Sequence, residues 1–166
     1  MNETSITQSI TATFAGVQPV DAWGDTFFFY NPDRQRAAEI YFATLKSKDD
    51  EYDNAADLNR PDVFRLNIGI SKATYRTLFG APPARADADE TVETRYDFTV
   101  LDQLLPHPVY GRMLWVCVLN PSAATFQAVQ PLLAEAYDLA VKKYAKRVAR
   151  RRSSPEATSG SGGPAA

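Results

Sequence analysis

The sequence predicts an α+β fold, in which an antiparallel sheet of about five strands packs against an N-terminal helix and a long C-terminal helix. Two observations indicate this class. Several strand-like segments follow one another without a helix after each, which favours antiparallel pairing. Apolar residues recur at helical spacing near the N-terminus and again over residues 126–144. We therefore expect the helices to cover one face of the sheet.

The individual elements follow from local patterns. Residues 4–15 form the first predicted helix, because Ile6, Ile10 and Phe14 share one helical face. Ser71 is a predicted helix cap, and residues 98–105 suggest a further short helix. The last helix begins at residues 120–122, and Pro131 is expected to kink or split it. The predicted strands are residues 17–21, 26–30, 41–46, 63–70 and 114–119.

Length and charge set the domain organisation. The chain has 166 residues and a net charge of −2, which fits one soluble domain of ordinary size. We assign residues 1–148 to that domain and residues 149–166 to a disordered tail, basic at first and then rich in Ser and Gly. Positions 142–152 carry seven Lys or Arg residues and no acid, so the rest of the chain is acidic. Such an acidic body argues against nucleic-acid binding by the folded part.

The cysteine, histidine and apolar content of the sequence indicates the cellular compartment and whether a metal or cofactor is expected. Cys117 is the single cysteine, and the N-terminus has no signal-peptide pattern, so we predict a cytoplasmic protein. No apolar run is long enough to span a bilayer, so we expect no membrane partner. With one Cys and one His the chain lacks a zinc ligand set, and no Gly-rich phosphate loop occurs in the domain. We predict no metal and no cofactor.

The candidate site is built around His107, which is the only histidine and stands between two prolines. Arg65 and Asn67 point to the same face of one predicted strand, where a guanidinium and an amide can bind a carboxylate or phosphate. We predict that these side chains line one concavity and bind a small anionic molecule. The full predicted set is Trp23, Asp25, Arg60, Arg65, Asn67, His107 and Tyr110.

Other interpretations of the same residues stay open. Arg65 can instead pair with Asp25 or Asp57 to seal the sheet, and His107 can be a structural residue satisfied by backbone groups. His107 is also the candidate general base of a hydrolase or transferase, although no partner residue is identified. A third alternative is an interaction module, either a homodimer or a nucleic-acid partner that uses the basic tail.

Four segments carry a resemblance to a known family: residues 23–30, 57–69, 105–110 and 115–121. Together they resemble a bacterial family of uncharacterised proteins, a domain of unknown function, over about residues 4–148. The resemblance implies no activity, but it places the candidate site residues within the family pattern. More distantly, the element order and residues 115–137 are similar to the MmcQ/YjbR-like α+β fold, some members of which are labelled DNA-binding.

Overall fold

A six-stranded antiparallel sheet is the centre of the molecule in the computed structural model, which describes residues 1–34, 40–82 and 95–153. The strand order is β1-β2-β3-β4-β6-β5. The α+β prediction is therefore confirmed, with one strand more than expected. In chain order the strands are β1 (Val17–Ala22), β2 (Asp25–Tyr30), β3 (Tyr41–Lys46), β4 (Arg65–Gly69), β5 (Leu104–Pro106) and β6 (Trp115–Leu119).

The additional strand, β5, lies where the sequence suggested a short helix over residues 98–105. That prediction is wrong, because Leu104 and Leu105 pair with Val118 and Cys117 of β6 at the edge of the sheet. Pro106 ends the strand at an edge position, where a residue without an N–H is tolerated.

Three α-helices complete the described fold: α1 (Glu3–Thr13), α2 (Lys72–Phe79) and α3 (Ala123–Ser153). Asn2 caps α1, and Ser71 caps α2 as predicted, with its side chain accepting the Thr74 N–H. Helix α3 is continuous through Pro131, so the helix is not split there. It also extends past the predicted domain boundary at residue 148; the rest of the predicted tail, residues 154–166, lies outside the described residues.

The core lies between the helices and one face of the sheet. Ile6 and Ile10 of α1 and Leu133 of α3 are almost completely buried in one cluster with sheet residues such as Phe28 and Ile68. Burial of this apolar area is the main stabilising contribution to the fold, at about 25 cal/mol per Å². Because side chains alternate along a strand, the residues between these core positions point to the opposite sheet face. Among the described residues, no helix is long and apolar enough to cross a membrane.

Candidate functional site

A pocket of about 320 Å³ opens on the sheet face opposite the helices. Its position follows from strand register, since Phe27, Thr44 and Asn67 lie opposite one another on β2, β3 and β4 and all line the pocket. The volume is at the lower end of the range for small-molecule sites, about 300–1,000 Å³. The lining residues form an aromatic group and a polar group.

The aromatic walls consist of rings that pack edge to face or tilted against one another. Tyr41 lies 5.2 Å from Phe27, centroid to centroid, with an interplanar angle of 86°. On its other side Tyr41 lies 5.6 Å from Trp115 at 42°. A one-residue register shift between β2 and β3 turns Tyr41 to this face while Phe42 enters the core. The aromatic lining residues are Trp23, Phe27, Tyr41, Tyr110 and Trp115.

Trp23 forms the outer edge of this wall from an unfavourable backbone position. It occupies the tight turn between β1 and β2 with φ 55°, followed by Gly24 with φ 88°. Left-handed conformations suit Asn, Asp or Gly in such turns, and a bulky ring there is uncommon. The side chain is 93% exposed and contacts Phe27 edge-on at 5.9 Å. Neither burial nor turn preference therefore explains a tryptophan at this position.

Gly69 makes room for Trp115 on the neighbouring strand. The two residues lie opposite each other in the β4–β6 pair. A Cβ at position 69 would stand 3.2 Å from the Trp115 ring, which is closer than ordinary van der Waals contact. The indole therefore lies over the glycine and contributes a flat wall to the pocket.

Lys46 and two carboxylates form one end of the polar floor. The Lys46 ammonium donates to Asp50 at 2.7 Å and to Asp25 at 3.4 Å. Burial alone would lower the pKa of Lys46, but the hydrogen bond to Asp50 and the charge of Asp25 outweigh it and raise the pKa. Burial raises the pKa of Asp25 despite the opposing effect of Lys46. The lysine charge is thus already neutralised within the pocket.

A closed hydrogen-bond network forms the other end of the floor. Arg65 is fully buried and donates to both carboxylate oxygens of Asp53, with 3.0 Å between Nη1 and Oδ1. Arg65 Nε also donates to Asn67 Oδ1 at 2.8 Å, and Asn67 Nδ2 donates to Thr44 Oγ1 at 2.9 Å. A buried guanidinium needs such pairing, because an unpaired charge inside a protein costs several kcal/mol. Arg65 therefore anchors the loop that carries Asp53.

His107 completes this network in its neutral form. Its Nδ1 accepts the backbone N–H groups of Val109 and Tyr110 at 3.1 Å and 3.0 Å. Its Nε2 lies 3.2 Å from Arg65 Nη2. A neutral imidazole has one accepting nitrogen and an imidazolium has none, so a second proton would remove the acceptor that Nδ1 offers to these two backbone N–H groups. Burial, reinforced by the charges of Arg65 and Lys46, lowers the pKa of His107 from 6.5 to about 2.

The predicted site residues divide into three groups. Arg65, Asn67 and His107 do lie together, but Arg65 pairs with Asp53, so the suggested partners Asp25 and Asp57 are wrong. Arg60 lies elsewhere, where its guanidinium donates to the backbone carbonyls of residues 56, 57 and 99. The remaining predicted residues, Trp23, Asp25 and Tyr110, all line the pocket.

Eight lining residues were missed from the sequence: Phe27, Tyr41, Thr44, Lys46, Asp50, Asp53, Met113 and Trp115. Alternation with core residues along the third and last strands carried a signal for Thr44, Lys46 and Trp115. The same alternation misplaces Tyr41, which a register shift between β2 and β3 turns to the pocket. Asp53 gave no comparable signal, because it is one of several acids in a loop. The described residues contain no group of three or more His, Cys, Asp or Glu placed to hold a metal ion.

The fold and pocket together define a class: an α+β domain with helices on one sheet face and an aromatic pocket on the other. The chain belongs to a family described as a family of unknown function (DUF6194), whose model matches residues 1–149. The predicted membership in an uncharacterised family is thereby confirmed. Comparisons with curated proteins and with solved structures found no match. The more distant YjbR-like relation and the bacterial origin stay predictions.

Proposed function

We propose that this domain binds a small organic molecule in the aromatic pocket. The observation that carries the proposal is the placement of exposed apolar side chains. Trp23, Tyr41, Tyr110 and Met113 are 93%, 44%, 44% and 61% exposed, and all four line the same pocket. A concentration of exposed apolar surface at one concavity is typical of a binding site.

Binding is better supported than catalysis by His107. A general base needs a free lone pair directed at the substrate, yet Nδ1 accepts two backbone N–H groups and Nε2 faces Arg65. The ring is also 4% exposed. The hydrolase or transferase alternative therefore lacks its proposed base in this arrangement.

The positions of the basic side chains give little support to the anionic ligand that the sequence predicted, and they favour a neutral or cationic ligand instead. Arg65 is fully buried against Asp53, and Arg60 does not line the pocket. Lys46 donates to two carboxylates. An anion entering the pocket would therefore have to displace internal ion pairs. We propose that a flat, largely apolar body contacts the rings of Tyr41 and Trp115.

The two tryptophans make this proposal testable. The chain contains 2 Trp residues, Trp23 and Trp115, and both line the pocket, so the indole signals report on it directly. A mixed library of small aromatic and aliphatic compounds is screened by the indole N–H resonances. We expect some compounds to shift both resonances. These compounds should bind about threefold to tenfold more weakly to the Tyr41→Ala variant than to the unaltered protein.

The matched control is Tyr52→Ala, because Tyr52 is 79% exposed and does not line the pocket. This variant should keep the affinity of the unaltered protein. The proposal is wrong if no compound in the library moves either indole resonance, or if both tyrosine variants weaken binding equally.

A further inference from the structure

We infer that the ligand carries a positively charged amine, which binds between Asp25 and the aromatic walls of the pocket. The inference rests on the proposed function and assigns the ligand class to the same site. Three independent features of the described residues lead to it: the balance of charge, the free acceptor of Asp25 and the arrangement of the rings beside it.

The pocket has an excess of negative charge. Asp25, Asp50 and Asp53 line it, whereas Lys46 is its only cationic lining residue among the residues that the structure describes. Even with the buried Arg65 counted, carboxylates outnumber cations. Lys46 does not repel an incoming cation strongly, because its Nζ lies 2.7 Å from Asp50 and its side chain is 9% exposed. A cationic group would therefore complete the charge balance, and an anion would worsen it.

Asp25 is the carboxylate with acceptor capacity left over. Asp53 accepts hydrogen bonds on both oxygens from Arg65, and Asp50 accepts from Lys46 and from two backbone N–H groups. Asp25, in contrast, accepts a single long contact of 3.4 Å on Oδ2. Within the described part of the chain, no donor contacts its Oδ1, although the side chain is only 19% exposed. A half-buried carboxylate of this kind favours a charged donor.

The aromatic rings lie where the rest of an amine would bind. Asp25 and Phe27 are two residues apart on β2 and therefore point to the same face. Trp23 contacts Phe27 on one side and Tyr41 contacts it on the other, both nearly perpendicular to it. Cations bind well against ring faces, and groups of aromatic rings recognise ammonium ligands. Asp25 and these rings line the same pocket.

Three probes of similar size and different charge test the inference: benzylamine, benzyl alcohol and benzoate. Each is titrated while the indole N–H resonances of Trp23 and Trp115 are followed. We expect benzylamine to bind most tightly and benzoate most weakly. In Asp25→Asn, benzylamine should bind about tenfold more weakly or worse, because a charge-assisted hydrogen bond is lost. Benzyl alcohol should be affected by less than about twofold.

The matched control is Asp21→Asn, which alters an exposed carboxylate of the same hairpin that accepts from Thr26 and does not line the pocket. It should leave all three affinities unchanged. Lys46→Met is a second test, available even if Asp25→Asn does not fold. It should strengthen benzylamine binding, because Asp25 and Asp50 then lose their shared cation.

The outcomes separate this inference from the proposed function. Tighter binding of benzoate than of benzylamine, or equal weakening of all probes in Asp25→Asn, overturns the amine and leaves a small-molecule pocket. Weaker benzylamine binding in Lys46→Met also overturns it. If none of the probes moves either indole resonance, the amine inference is wrong, and the response to the compound library decides separately whether the proposed function is wrong.

Discussion

Protonation of His107 is expected to destabilise the folded protein as the pH falls. In the unfolded chain this ring takes up a proton near pH 6.5, whereas in the folded protein burial and the neighbouring cations lower its pKa to about 2. Between these values the unfolded state binds one proton more, so the free energy of unfolding decreases as the pH is lowered. The stabilisation from the neutral ring is complete above the unfolded pKa and is lost below it.

The size of this effect follows from the pKa difference. Each pH unit well below the unfolded pKa removes about 1.4 kcal/mol, so a change from pH 7 to pH 5 costs about 2 kcal/mol. That loss is a considerable part of the stability of an ordinary domain, about 5–15 kcal/mol. Most carboxylates remain ionised over this interval, so the histidine dominates the slope.

The assay is urea unfolding at several pH values between 7 and 5, for the unaltered protein and for His107→Asn. The asparagine oxygen can still accept the Val109 and Tyr110 N–H groups, but the side chain does not titrate. We expect the variant to be less stable at pH 7 and to lose the histidine-dependent slope. An unaltered protein whose stability is flat from pH 7 to pH 5 would refute the neutral, buried ring.

Three further predictions concern other parts of the molecule. Asp53→Leu should lower the free energy of unfolding, measured with urea, by about 3–5 kcal/mol, because it leaves the buried Arg65 charge unpaired. Adding Arg65→Met should recover much of this loss, and a double variant without recovery would contradict the ion-pair argument. Cys117 should react with thiol reagents only on unfolding, since burial raises its pKa to about 12; rapid labelling of folded protein would argue otherwise. Removal of residues 147–166 should leave the response of the indole resonances to ligand unchanged. If the full-length protein binds DNA in a salt-sensitive way and the shortened protein does not, the interaction alternative is supported.

The elements with strong periodicity were predictable from the sequence. Ile6 and Ile10 mark the buried face of α1, and Leu66 and Ile68 mark the core face of β4, because burial imposes the period of each structure on the apolar residues. The three-residue strand β5 was not predictable, because it exists through its pairing with β6 rather than through its own composition.

The candidate site was only partly predictable, for a related reason. Arg65 and Asn67 share a strand face, so their proximity follows from local geometry. The choice of Asp53 over the other acids as the partner of Arg65 depends on the path of a long loop, which no local pattern specifies. That pairing changes the functional interpretation, because it buries the guanidinium expected to bind an anion and leaves Asp25 with a free acceptor.

A crystal structure of the protein soaked with benzylamine would show directly whether the pocket binds an amine. We expect the ring of the probe against Tyr41 and Trp115, with its ammonium within hydrogen-bond distance of Asp25 Oδ1. A pocket that stays without probe at saturating concentration, with the Trp23 ring folded into it, would show that the pocket does not bind an amine.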